Sequence, residues 1–267
     1  TSAWASGGNM NTARSGLGGT GTQTAALAFG GNIPPYTTVT ELYDGTSWTE
    51  VADISFARRE IASAGTTTSA LASGGDSANP ISQRGETESW NGSNWTEVGD
   101  LNTARRGLAG CGADNTSALS FGGGPPNTGA TESWNGSSWT ELNDMNQVRK
   151  QLAGFGIQTS ALAFGGQTPA PANTGKTESW NGTSWFEVND LNEAKRLLAG
   201  TSSTGSSSGL AIGGEGPPIL SSTESWNGSQ WAETNNLNTG RNSLAGAGAS
   251  NTSALAIAGN TPPNTTL

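Results

Sequence analysis

Short apolar runs, each closed by a cluster of Gly, Asn or Ser, follow one another along the whole chain, the pattern of many short strands. From Ser117 the sequence reads SALSFGG, then a short loop, then TESWNGSSWTELNDMNQVRKQLAGFG, and close copies of that unit recur throughout. Gly pairs mark the beat at Gly30 and Gly31, Gly74 and Gly75, Gly122 and Gly123, Gly165 and Gly166, and Gly213 and Gly214, with a decayed sixth at Ala258 and Gly259. Their spacings are 44, 48, 43, 48 and 45 residues. A Trp keeps the same beat at Trp4, Trp48, Trp95, Trp139, Trp185 and Trp231. Six units of about 45 residues therefore fill residues 1–267 as one repeat domain.

Each unit predicts four strands: LAG with a small-residue pair as strand a, SALAFGG as b, TESW as c and SWTEL as d. Asn135-Gly136, with copies at Asp44-Gly45, Asn91-Gly92, Asn181-Gly182 and Asn227-Gly228, is a hairpin signal between c and d. Strand parity then places Trp134 and Trp139 on one face beside Glu132 and Glu141, and Thr131, Ser133, Ser138 and Thr140 on the other. Sheets with bulky Trp on one side and small hydroxyls on the other stack on copies of themselves, large face against small. Radial stacking of this kind predicts an all-β, six-bladed propeller of four-stranded blades, with Trp48, Trp90, Trp95, Trp134, Trp139, Trp180, Trp185, Trp226 and Trp231 as its structural core. The last blade draws strands a and b from the C-terminus and d from the segment of Trp4, so both termini are expected to close it. About five residues of the TESWN type are missing for its strand c, and the chain reads as a window of a longer one.

Composition changes this picture mainly by exclusion. Leu, Ile, Val and Phe supply only 38 of 267 residues, but 33 charged residues with a net charge of −9 and ten Trp do not describe a disordered chain. With no His, His-based triads and His-ligated zinc are excluded, and the single Cys111 makes no internal disulfide or thiolate cluster. No metal site and no cofactor are expected. The acidic balance argues against nucleic acid, and no window approaches a membrane span. The first residues lack the basic and apolar regions of a signal peptide, which leaves export by a removed peptide open.

A Gly doublet, an aromatic, a Trp five residues on and a basic residue ten further resemble the kelch repeat, as in Gly165, Gly166, Trp180, Trp185 and Lys195. Kelch units usually carry Tyr at the first aromatic, which only Tyr43 keeps, while Trp90, Trp134, Trp180 and Trp226 depart from it. The resemblance implies the propeller fold and closure of the ring by both termini. It does not fix function, since kelch propellers include oxidases, ubiquitin-ligase adaptors, actin binders and viral proteins.

Arg14, Arg58, Arg105, Arg149, Lys195 and Arg241 occupy one equivalent position in all six units and form the candidate binding set. Because strands alternate in direction, the d-to-a connections carrying this ring leave at the same end as the b-to-c loops. Those loops hold Pro34 and Pro35, Pro125 and Pro126, Pro169 and Pro171, Pro217 and Pro218, and Pro262 and Pro263. A glycan or protein ligand is expected on that Pro-rich face. The competing and stronger reading is internal pairing, because ten of the fourteen Glu also sit at repeat positions and a buried Glu needs a partner. The Trp ladder has a second reading too, as sugar-stacking platforms, against its stronger reading as core.

Enzyme readings are weaker. Catalytic sites break symmetry, and these Arg are equivalent by repetition. Kelch-like copper oxidases need His and Tyr ligands, while SWNGSSW lacks the Asp of a sialidase aspartate box and is one residue short. The sequons at Asn91, Asn135, Asn181 and Asn227 are turn residues first, and Cys111, in place of a small strand residue, reads as buried and inert.

The near-identical units rich in Gly, Ser, Thr, Asn and Trp also resemble kelch-like arrays of bacteriophage and other viral structural proteins. That resemblance implies a non-catalytic component of a phage tail or capsid surface, at the virion surface or extracellular, that binds a host surface glycan or neighbouring virion subunits. The alternatives are a soluble multivalent lectin, which should show several equivalent open sugar pockets, and an intracellular protein-binding adaptor, which should show one asymmetric patch on the loop face.

Overall fold

The computed structural model describes residues 3–78, 80–201 and 205–261. The first blade is β1 (Gly18–Gly21), β2 (Ala26–Phe29), β3 (Thr40–Tyr43) and β4 (Trp48–Val51). The second is β5 (Ala62–Gly65), β6 (Ala70–Ser73), β9 (Thr87–Trp90) and β10 (Trp95–Val98), with a hairpin of β7 (Asp76–Ala78) and β8 (Ile81–Gln83) in its b-to-c connection. The third is β11 (Ala109–Asp114), β12 (Ser117–Phe121), β13 (Thr131–Trp134) and β14 (Trp139–Glu141). The fourth is β15 (Ala153–Ile157), β16 (Ser160–Phe164), β17 (Thr177–Trp180) and β18 (Trp185–Val188). The fifth is β19 (Ala199–Gly200), β20 (Gly209–Ile212), β21 (Thr223–Trp226) and β22 (Trp231–Glu233). Each is an antiparallel sheet hydrogen-bonded in the order a-b-c-d.

The expectation of six blades is corrected: the propeller has five. The sixth sequence unit supplies only the two-stranded sheet of β23 (Ala245–Ser250) and β24 (Ser253–Ile257). Strand d of every blade bonds to strand c and never to b, so without a strand c the segment of Trp4 has no ladder to join, and among the described residues it forms no strand. Closure of a last four-stranded blade by both termini is corrected with it. The ring is instead completed by strands a, where β1 touches β5, β5 touches β11, and so on through β15, β19 and β23 back to β1.

Local chemistry explains the blades. Strands b such as ALAF at Ala26–Phe29 are buried along their whole length, hence their unbroken apolar run. At the c-to-d turn Trp134 faces Trp139 across a four-residue loop, the Asn135 side chain accepts the N–H groups of Ser137 and Ser138 at 3.0 Å, and Gly136 takes a φ of 94°. Trp134 and Trp139 of the third blade pack on Ala62, Ala64 and Leu71 of the second. Trp139 also reaches across to donate its indole N–H to the Thr87 hydroxyl at 3.0 Å, a link repeated from Trp95 to Thr40, Trp185 to Thr131 and Trp231 to Thr177. Small residues let strands a crowd the axis: a Cβ on Gly110 would lie 3.0 Å from that of Ala62. Each buried Trp removes roughly 200 Å² from water, worth on the order of 5 kcal/mol before chain entropy is counted.

Candidate functional site

The nine Trp named above are all buried, from Trp134 at 0% to Trp95 at 9% exposed. None presents a ring face to solvent as a sugar platform would require, so the stacking reading of the ladder is corrected.

The cation ring is buried as well. Arg14, Arg58, Arg105, Arg149 and Lys195 pair with Glu41, Glu88, Glu132, Glu178 and Glu224, the strand-c acids of their own blades. Side chains on both sides are at most 2% exposed. The segment entering from the previous blade closes over the same carboxylate: Glu178 accepts the Asn146 backbone N–H at 2.7 Å, its Nδ2 at 2.9 Å, and the Gln147 N–H at 3.3 Å. Burial pulls the Arg149 guanidinium down to about 10 against the attraction of Glu178, which leaves it protonated at neutral pH. As a ligand-facing site these five cations are corrected, since no ligand can reach a sealed and neutralised ion pair. The acids at Glu50, Glu97, Glu141, Glu187 and Glu233 take no part in the ring and are exposed on the outer strands d. Arg241 differs: half-buried, it donates to the Ala258 carbonyl at 2.8 Å and enters no ion pair among the described residues.

At the position one residue later, Arg59, Arg106, Lys150 and Arg196 are partly exposed, whereas Ser15 and Asn242 are buried. Ser15, Arg59, Arg106, Lys150, Arg196 and Asn242 follow the buried ring, and each bridges to the b-to-c connection beyond its Gly pair, as Arg59 does with Asp76 and Arg196 with Glu215. The d-to-a and b-to-c connections thus meet at one end of the propeller. Pro34, Pro35, Pro125, Pro126, Pro169, Pro171, Pro217 and Pro218 are exposed there, while Pro262 and Pro263 lie outside the described residues. Arg59 and Arg106 converge on the buried carboxylate of Asp76, which also accepts the Tyr36 hydroxyl at 3.3 Å, and Arg59 stands over the Tyr36 ring at 4.8 Å. Arg196 meets Glu215 at 2.6 Å, and Lys150 enters no ion pair among the described residues. Four of the six positions carry a cation, on successive units, so the mouth is asymmetric.

At its centre the next residues close the axis. Gly16, Glu60, Gly107, Gln151, Leu197 and Ser243 all take left-handed φ values between 52° and 64°. Each backbone N–H donates to the preceding member's carbonyl, and Gly16 donates to Ser243, giving a closed ring of six bonds between 2.6 and 3.2 Å. Four members are not Gly, a strained choice that persists because the ring fixes it. Beneath lie Leu17, Ile61, Leu108, Leu152, Leu198 and Leu244, then an axial channel of about 110 Å³ between the strands a. Gln151 reaches over Gly107 to donate to Glu60 at 3.0 Å, adding a polar cap to one side of the mouth.

Sequence reasoning missed these partly exposed cations. The signal is present as the doublets Arg58-Arg59, Arg105-Arg106, Arg149-Lys150 and Lys195-Arg196, whose second members form a repeat position of their own. No protein-family model and no curated protein matches the sequence. Among solved structures, the chain is similar to the one titled "Structure of YjhT", with a TM-score of 0.77 at 13% identity over 96% of this chain and 93% of that one, a likeness that shows the propeller fold alone.

Proposed function

We propose that the chain is a non-catalytic recognition module, a kelch-like propeller whose loop face docks a protein surface. The observation that supports this most is the asymmetric mouth, in which Arg59, Arg106, Lys150 and Arg196 stand beside Glu60 and Glu215 among exposed Pro loops, with Asp76 buried beneath Arg59 and Arg106. A patch of interleaved signs with Arg and Tyr suits a complementary protein surface. A lectin reading loses its platforms with the burial of the Trp. The resemblance of the repeat to viral structural arrays makes a neighbouring virion subunit the partner we favour, with the loop face turned toward it. The test is a parallel screen of the purified propeller against a displayed peptide library and a glycan array, with Lys150→Glu and Arg59→Glu alongside. Selected peptides that both variants lose support the proposal. Glycan binding that both variants keep overturns it in favour of a lectin, and selection of neither overturns recognition by this face.

A further inference from the structure

In each of the five blades strand b lies between a and c with every apolar residue buried, but β24 of the two-stranded sheet has no partner strand on its outer side among the described residues. Ala254, Leu255 and Ala256 are half-exposed there, whereas Ala118, Leu119 and Ser120 of β12 are buried. Three further groups around this edge stand in wait. Arg241 has its carbonyl partner, as Arg58 has in Gly74, but among the described residues it lacks the strand-c carboxylate that the five other ring cations hold. Asn238 Nδ2 reaches the Trp4 carbonyl at 3.4 Å, the bond that Asn146 makes to Trp185, yet among the described residues it has no carboxylate where Asn146 has Glu178. Thr223 Oγ1 is buried without a hydrogen-bond partner among the described residues, at the position where Thr177 receives the indole of Trp231; Trp4, which would supply that indole, donates instead to the Asn235 carbonyl at 3.0 Å.

We propose that the outer edge of β24 is a docking edge for an extended segment of Thr-Glu-Ser-Trp type, added antiparallel with its carboxylate on Arg241. The register follows from Ala118 facing Trp134 and Ser120 facing Glu132: the incoming Trp lies opposite Ala254 and the Glu opposite Ala256. Main-chain bonds to the edge supply affinity, and the carboxylate supplies selectivity by reaching Arg241 and Asn238 together. Burial already lowers the Arg241 guanidinium, with no acid acting against it, unlike Arg58 and Arg149. This inference does not rest on the loop-face reading.

The experiment is calorimetric titration and thermal melting of the intact protein with the peptide Thr-Thr-Glu-Ser-Trp-Asn-Gly and its Glu-to-Gln counterpart. One-to-one binding with a raised Tm is expected for the first, and binding at least about tenfold weaker for the second, because a charge-assisted hydrogen bond is lost. With the Arg241→Gln protein the two peptides should bind alike. Equal binding of both peptides to the parent overturns the proposal, and so does absence of saturable binding. A dimer of the protein that the peptide cannot displace, showing a second copy at this edge, overturns it too.

Discussion

Replacing Arg149 by Gln removes the cation of one sealed pair while leaving its acid in place. The lost contacts are Nη2 to Glu178 at 3.1 Å, Nη1 to the Lys176 carbonyl at 2.6 Å and Nη2 to the Ala163 carbonyl at 3.4 Å. Stranding a buried charge costs about 3 to 5 kcal/mol. Glu178 keeps three N–H donors from Asn146 and Gln147, so the lower end of that range, about 3 kcal/mol, is the expected loss. For a chain of this length that corresponds to a fall in Tm of about 6 to 12 °C. Urea denaturation followed by Trp fluorescence measures it directly, with the m-value as a check that the unfolded state is unchanged. The double variant Arg149→Met, Glu178→Leu removes both charges and should recover most of the loss. A single variant within about 1 kcal/mol of the parent, or a double variant no better than the single, would refute the reasoning that these pairs hold the connections between blades.

Trp139→Ala should cost about 3 to 5 kcal/mol in the same assay, because it empties a buried site against Ala62, Leu71 and Ala118; a loss below about 1 kcal/mol, as for a surface substitution, would contradict its core role. Cys111 is wholly buried and its thiol is pushed up to about 12, so a thiol reagent at pH 8, taken as about half a unit below an ordinary thiol pKa, should modify it only after unfolding. Asp44 accepts the Ser47 N–H and the Thr46 hydroxyl and N–H, which hold its carboxyl well below the usual carboxylate range. A lowered folded pKa contributes stability above the unfolded value of 3.8 that is lost as pH falls below it, so a carboxyl NMR titration should find Asp44 still ionised when exposed Asp have protonated. Asp44→Asn, the residue used at Asn91 and Asn135, should keep the turn and abolish this acid response.

The blades were legible because strand parity and turn chemistry are local. The pairing of Trp134 with Trp139 and the Asn135-Gly136 turn need only neighbouring residues, and the register obeys them. Counting blades failed because the Gly pairs and Trp markers report strands b and d, while the ladder is continuous only through c. Trp4 and Gly259 therefore register a unit that β23 and β24 alone cannot complete. The cation ring was visible as a ring, but the choice between Glu132 and Glu141 was not. Both share a face, and only the depth of β13 against the outer position of β14 separates a buried partner from a solvated one. The mouth was hidden for a different reason. Its axial positions hold Gly16 and Gly107 but also Glu60, Gln151, Leu197 and Ser243, so a shared left-handed backbone leaves no shared residue type to read.

That axial circle of peptide bonds has an electrostatic consequence. Peptide dipoles aligned along a helix add up to a fixed field at its ends, but here the donor-to-acceptor direction turns through a full circle and the in-plane components cancel. The scaffold therefore imposes little potential of its own at the centre of the loop face. The sign and shape of the field there are written by side chains such as Glu60, Gln151 and Lys150, which stand on a backbone that does not depend on their identity. A surface of this kind can exchange one charge pattern for another by substitution alone, with the wheel beneath it unchanged.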